Sequence, residues 1–138
     1  MAKAARYQGT AMMKMVLMAA MGGAIGASAR YLVGVGALRL IGTGFPWGTL
    51  IVNVGGSLIM GLMIETFALR YSVSNEFRTF LATGVLGGFT TFSAFSLDFA
   101  VLMERKAQGL AVIYLGASVG LSVLALFAGL YIARTIYQ

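Results

Sequence analysis

Four apolar runs, each long enough to cross a bilayer, limit what this chain can fold into. They extend over about 15–41, 47–71, 77–103 and 110–133. A helical crossing needs roughly 20 predominantly apolar residues, and these runs leave no stretch for a soluble domain. The loops between them are short, so we expect neighbouring helices to be antiparallel. The sequence therefore predicts an all-α membrane protein with one four-helix transmembrane domain over 15–138, preceded by a mobile N-terminal segment, 1–14.

The composition supports a membrane location and excludes several kinds of chemistry. The chain is 59% hydrophobic and only 10% charged, whereas a soluble domain carries about 25% charged residues. Despite a net charge of +6, the basic residues stand singly between apolar runs, which is typical of membrane-end anchors and not of a nucleic-acid interface. The chain has no cysteine and no histidine. We find no nucleophile–base pair or metal-ligand cluster, so we do not expect an enzyme.

The third run contains a stretch that disfavours a continuous helix, Gly87-Gly88-Phe89-Thr90-Thr91-Phe92-Ser93-Ala94-Phe95-Ser96. Paired glycines and paired threonines are poor helix-interior residues. Lipid cannot satisfy freed backbone groups, so a break at membrane depth is buried in protein or lines a pathway. Freed carbonyl oxygens also suit a cation such as Na⁺. We therefore predict a break in helix 3 that forms the working part of an ion pathway.

Stripes of polar side chains follow the second and fourth runs at intervals of four residues. The second run carries Thr49, Asn53 and Ser57, and the fourth carries Tyr114, Ser118 and Ser122. Residues at this spacing share one helix face. Asn53 could simply make an interhelical hydrogen bond, and the hydroxyls of the fourth run could bond back to their own carbonyls. Gly116 and Gly120 form a Gly-x-x-x-Gly motif that predicts packing on another face of the fourth helix.

The polar side chains at membrane depth are mostly uncharged donors: Asn53, Thr90, Thr91, Ser93, Tyr114, Ser118 and Ser122. A small anion that must lose its water requires such donors. Phe92 and Phe95, at i and i+3, could add the positive edges of their rings. Strong positive charge would trap the ion, whereas conduction needs release as well as binding.

The basic residues give two further indications. Arg30 lies well inside the first run, where it either snorkels to an interface or makes an aqueous vestibule electropositive. Six basic residues lie on the side of the chain termini, against three on the other side: Lys3, Arg6, Lys14, Arg70, Arg78 and Arg134 against Arg39, Arg105 and Lys106. This bias weakens if Lys3 and Arg6 of the mobile segment count for little, and a weak bias would let the chain insert either way up.

From about Met15 onward the chain resembles the Fluc (CrcB-type) fluoride channels of microbial membranes. Three motifs in order carry the resemblance: Gly22-Gly23-x-x-Gly26-Ala27-x-x-Arg30-Tyr31, Gly48-Thr49-x-x-Val52-Asn53-x-x-Gly56-Ser57-x-x-x-Gly61 and Gly87-Gly88-Phe89-Thr90-Thr91-Phe92-Ser93-x-Phe95. The resemblance implies a passive channel that exports F⁻ and relieves fluoride toxicity. It also implies a multi-pass protein of the bacterial cytoplasmic (inner) membrane, and an antiparallel, dual-topology homodimer with two pores lined by both subunits.

The same resemblance implies roles for individual residues. Phe92 and Phe95 would be the pore phenylalanines, with Asn53 facing them. The fourth helix would supply a polar track of Tyr114, Ser118 and Ser122. Backbone carbonyls of Gly87 and Thr90 from both subunits would hold a central structural Na⁺. Arg30 and Asp98 would be vestibule and pore-end residues, and Ala94 stands where relatives often have Thr.

Two other functions are compatible with four apolar helices. A small dual-topology drug or cation exporter needs a mid-membrane carboxylate in its first helix, which this sequence lacks. A non-transporting membrane scaffold would use the glycines and polar stripes for packing alone. The scaffold predicts that Phe92→Ile and Asn53→Ser leave every measured activity intact.

Overall fold

The computed structural model describes residues 9–138 with their side chains, and the first helix is traced from Ala2. The regular elements are all helical: α1 (Ala2–Ile41), α2 (Trp47–Leu69), α3 (Asn75–Arg78), a π-helical segment (Thr79–Leu86), α4 (Gly87–Phe89), α5 (Phe92–Glu104) and α6 (Gln108–Tyr137). Within residues 9–138, four helical stretches are long and apolar enough to span a bilayer: Gly9–Ile41, Trp47–Leu69, Asn75–Glu104 and Gln108–Tyr137. The prediction of an all-α chain with four apolar helices of membrane-spanning length is confirmed.

The helix bounds agree closely with the apolar runs, except at the two chain ends. Residues 9–14 continue α1 as helix. The predicted mobile segment 1–14 lies partly outside the described residues, and its mobility stays a prediction. The last helix was predicted to end at Ala133 and continues to Tyr137. Its added turn includes Arg134, whose Nε lies 2.7 Å from Glu65 Oε1 of α2.

Local sequence signals fix where helices begin and end. Ser74 caps α3, because its hydroxyl accepts a hydrogen bond from the Phe77 N–H at 3.2 Å. Gly42 follows α1 with φ of +96°, a left-handed conformation that glycine adopts without a steric penalty. Pro46 directly precedes α2, where its missing N–H leaves no helical hydrogen bond unmade.

Glycines bring two pairs of helices into backbone contact. A Cβ at Gly22 would overlap the Phe80 carbonyl oxygen, and one at Gly26 would overlap that of Val85, so α1 lies directly against the π-helical segment. In the same way, Gly61 of α2 lies against the backbone of α6, and Gly129 of α6 lies against the backbone of α2. The packing predicted for the α6 motif is wrong within this chain. A Cβ at Gly116 or Gly120 would meet no atom within 4 Å among the described residues.

The buried core lies where α2, α5 and α6 meet. It consists of Leu50, Phe95, Leu102, Ala111 and Tyr114. Of the helix pairs, α2 and α6 share the most extensive contact, while α1 packs chiefly on the π-helical segment. This arrangement sets Asn53 of α2 against Thr91, in the segment that joins α4 to α5, and Tyr114 of α6 against Phe95 of α5.

Candidate functional site

Asn53 pairs with the backbone of Thr91. Its Nδ2 donates to the Thr91 carbonyl oxygen at 2.9 Å, and the Thr91 N–H donates to Asn53 Oδ1 at 2.7 Å. Thr90 (φ −81°, ψ 157°) and Thr91 (φ −155°, ψ 123°) both have extended backbone angles. A side-chain amide from α2 therefore satisfies backbone groups that lipid could not. The interhelical hydrogen bond considered for Asn53 is confirmed.

Thr91 also caps the helix that follows it. Its Oγ1 accepts a hydrogen bond from the Ala94 N–H at 3.1 Å, the usual bond of an N-cap threonine. The same oxygen lies 3.2 Å from Ser93 Oγ, and either hydroxyl can be the donor. Ser93 is exposed on the surface of the chain. The two predicted donors are thus adjacent at the first turn of α5.

The carbonyl of Gly87 lacks the donor that a continuous helix would supply. In an α-helix the donor to Gly87 O would be the Thr91 N–H, which here donates to Asn53. The Thr90 N–H and hydroxyl both donate to Leu86 O, at 3.0 and 2.9 Å. No group of acidic or histidine side chains that could hold a metal occurs among residues 9–138.

Five aromatic rings contact one another in sequence from the α5 start to the α2 start. The centroid distances are 5.3 Å from Phe92 to Phe95, 5.3 Å from Phe95 to Tyr114, 5.4 Å from Tyr114 to Phe45 and 4.8 Å from Phe45 to Trp47. We call this set the aromatic row. Its members differ in exposure: Phe92 is 76% exposed, whereas Phe95 is 6% exposed and Tyr114 is fully buried.

Two serines of α6 present hydroxyls with no partner. Ser118 Oγ and Ser122 Oγ are buried and make no hydrogen bond within the described part of the chain. The proposed bonding of these hydroxyls back to their own carbonyls is therefore wrong. A buried polar group without a partner costs about 1–3 kcal/mol. Both serines line a cavity of about 360 Å³, together with Asn53, Thr91, Phe92 and Phe95. The arrangement can hydrogen-bond a small acceptor that enters this cavity.

Asp98 joins three helices through one carboxylate oxygen. Its Oδ2 accepts hydrogen bonds from Thr49 Oγ1 of α2 at 2.6 Å and from the Tyr114 hydroxyl of α6 at 3.1 Å. Tyr114 therefore donates to Asp98 and not into the cavity that holds Ser118 and Ser122. The sequence stripes placed Thr49 and Tyr114 correctly on their helices but did not indicate that they share an acid.

Arg30 lies apart from the serine-lined cavity. It is half-buried and lines a smaller cavity of about 280 Å³ with Tyr31, Thr49 and Thr91. Thr49 lines this cavity with Arg30 and also bonds the Asp98 carboxylate. The structure thus brings seven of the predicted residues together in the serine-lined cavity, but not Ser93 or Tyr114. The seven are Asn53, Thr90, Thr91, Phe92, Phe95, Ser118 and Ser122. Phe45 of the aromatic row was missed, because a loop phenylalanine ahead of Pro46-Trp47 resembles an ordinary interfacial anchor.

Comparison with known proteins assigns the family. The family model described as CrcB-like protein, Camphor Resistance (CrcB), matches residues 17–130. A fluoride-specific ion channel FluC of Chelativorans sp. (strain BNC1) is 60% identical over 121 residues, which cover 88% of this chain and 97% of that protein. Proteins of the same name from Agrobacterium fabrum and Caulobacter sp. (strain K31) are 54% and 56% identical over 122 and 128 residues. These cover 88% and 92% of this chain, and 98% and 99% of the respective relatives. The chain belongs to the CrcB family.

Proposed function

We propose that this protein is a fluoride-selective passive channel that exports F⁻ and so relieves fluoride toxicity. The observation that carries the proposal is the pair of unpartnered, buried hydroxyls of Ser118 and Ser122 in a cavity lined by Asn53, Phe92 and Phe95. The names of the relatives, which describe channels and not enzymes, give the ion its identity.

The chemistry of the cavity suits transient binding of a small anion. Hydroxyl and amide donors, and the ring edges of Phe92 and Phe95, can replace part of the water that F⁻ loses. None of these groups carries a full charge, so the ion can leave as readily as it enters. Ser93 and Thr91 offer two more hydroxyls at the first turn of α5.

The working assembly in this proposal is an antiparallel, dual-topology homodimer with two pores. Phe92, Ser93 and Gly87 are exposed in the single chain, inside the third membrane-spanning stretch. Polar groups at this depth need protein partners, and a second copy of the chain supplies them. Light scattering in detergent tests the dimer. Single-cysteine labelling from both sides of the membrane tests the topology, because the chain has no cysteine of its own.

A structural Na⁺ at the centre of this dimer would be held by the carbonyls of Gly87 and Thr90 from both subunits. This is supported by the loss of the helical donor to Gly87 O and by the extended angles of Thr90. Bound there, the ion would neutralise converging carbonyl dipoles and hold the subunits together. Dimer dissociation on exchange of Na⁺ for a bulky organic cation, followed by light scattering, tests the site.

Arg30 and Asp98 complete the proposed pathway at its aqueous ends, with Arg30 in an electropositive vestibule and Asp98 at a pore end. The membrane in question is the bacterial inner membrane, where a passive fluoride channel lets accumulated F⁻ leave the cytoplasm.

The deciding experiment measures F⁻ efflux from liposomes that contain the purified protein. A fluoride electrode reads the efflux, while a K⁺ gradient with valinomycin supplies the counter-charge, and matched vesicles report Cl⁻. Rapid F⁻ loss without Cl⁻ loss is the expected result. Folded, dimeric protein that releases no F⁻ would contradict the proposal. It would indicate that the polar stripes serve helix packing alone.

A further inference from the structure

A second cavity opens at the other end of α5, near the α1–α2 loop. Its volume is about 360 Å³, and its lining includes Thr49, Asp98 and Arg105 together with the loop residues around Phe45. Arg105 follows the last residue of α5 and is exposed. By its position after the third apolar run it is a basic residue at a membrane end.

Asp98 and Arg105 lie on the same face of α5. The residues of α5 that line the cavity are Asp98, Val101, Leu102 and Arg105, which are spaced i, i+3, i+4 and i+7. This is the spacing of one helix face. Seven residues rise about 10.5 Å. The acid is half-buried and the arginine is exposed, so the arginine is the more accessible of the two charges in this cavity.

Neither charge is neutralised by an ion pair in residues 9–138, where the salt bridge found is that of Arg134 with Glu65. The Asp98 carboxylate has two hydroxyl donors but no cation. An isolated, half-buried carboxylate would repel an approaching anion. An exposed guanidinium in the same cavity opposes that repulsion and raises the local anion concentration.

We propose that Arg105 steers small inorganic anions into the pathway and offsets the charge of Asp98. The inference rests on the proposed fluoride channel, and it assigns Arg105 to the mouth. It predicts an effect on the rate of F⁻ entry that depends on ionic strength. The screening length falls from ~30 Å at about 0.01 M to ~3 Å at about 1 M, so steering acts in the first condition and not in the second.

The absence of native cysteines allows the charge at this position to be changed chemically. Arg105→Cys is purified, modified in detergent with a trimethylammonium or a sulfonate methanethiosulfonate, and reconstituted for F⁻ efflux at both ionic strengths. At low ionic strength we expect the unmodified variant to be slower than the parent by about threefold. The cationic adduct should restore the rate, and the anionic adduct should lower it further. At high ionic strength the three rates should converge.

Lys106→Cys is the matched control, because it removes the same charge one residue away. Lys106 does not line the cavity, and its φ of +58° turns the chain there. Its adducts should leave efflux nearly unchanged. Equal effects of the two adducts at Arg105, or equal sensitivity at Lys106, would overturn the inference. Absence of F⁻ efflux from the unmodified parent protein would overturn the channel proposal instead.

Discussion

Asn53 of α2 and Thr91 at the start of α5 bind each other twice, through Nδ2 to O at 2.9 Å and through N to Oδ1 at 2.7 Å. The amide matches the peptide group in shape and polarity, so one side chain replaces two backbone partners. This pairing fixes the first turn of α5, and with it Phe92 and Phe95, relative to α2.

Replacement of Asn53 by Ala should therefore lower stability as well as activity. It leaves the N–H and C=O of Thr91 without partners, at a cost of about 2–4 kcal/mol. We expect a lower thermal unfolding temperature in detergent and loss of F⁻ efflux. Ser57→Ala, one turn later on the same face, is the stability control. An Asn53→Ala protein as stable as its parent would show that the pairing does not hold the turn.

Replacement of Ser118 and Ser122 by Ala should lower F⁻ passage without lowering the stability of the fold. Because neither hydroxyl has a partner in the described chain, their removal should leave the unfolding temperature unchanged or slightly raised. F⁻ efflux should fall, most strongly in the double variant. Ser96→Ala, which removes a hydroxyl bonded to the Phe92 carbonyl, is the matched control for loss of a serine. Unchanged efflux in the double variant would indicate that these serines serve packing alone.

The two phenylalanines should respond differently to replacement by Ile. Phe92 is 76% exposed, so Phe92→Ile should block F⁻ efflux while the protein folds and the dimer assembles. Phe95 is 6% exposed and touches both Phe92 and Tyr114. Phe95→Ile should also cost about 1–2 kcal/mol of stability. Efflux and thermal unfolding, measured on the same preparations, distinguish the two. Normal efflux from folded Phe92→Ile would refute the ring-edge argument.

Adding a methyl group at two neighbouring glycines of α1 should have opposite effects. At Gly26 a Cβ would overlap the Val85 carbonyl, so Gly26→Ala should destabilise the protein by about 1–3 kcal/mol. At Gly23 a Cβ meets no atom within 4 Å, so Gly23→Ala should be neutral or stabilise the helix by up to about 1 kcal/mol. Equal unfolding temperatures for the two variants would contradict the close contact of α1 with the π-helical segment.

Apolar length was sufficient to predict the four long helices. Their predicted ends are correct within a few residues, except at the start of α1, which continues as helix through residues 9–14. The paired glycines of the third run were predicted to disfavour a continuous helix, and this explanation of their presence was incomplete. Gly87 and Gly88 belong to the helical residues of α4, and a Cβ at Gly88 would lie 2.8 Å from the Gly23 carbonyl oxygen. The extended angles occur at Thr90 and Thr91, next to Gly56 of α2.

Which side chains bond each other could not be predicted from spacing along one helix. The stripe on α6 suggested three equivalent hydroxyls, yet Tyr114 donates to Asp98 while Ser118 and Ser122 do not bond within the described chain. Tyr114 has a partner because α5 lies beside it, whereas Ser118 and Ser122 lie beside a cavity. Tertiary packing decides which of these hydroxyls finds a partner. A periodic pattern along one helix does not contain that information.

The aromatic row gives the protein an intrinsic optical reporter. Trp47 is the only tryptophan of the chain, and it ends a series of touching rings that begins at Phe92 beside the serine-lined cavity. Indole emission depends on its immediate packing and polarity, and each ring in the row constrains the next. Titration with fluoride should therefore change the emission of unlabelled protein, and Phe45→Leu, which interrupts the row, should abolish that change.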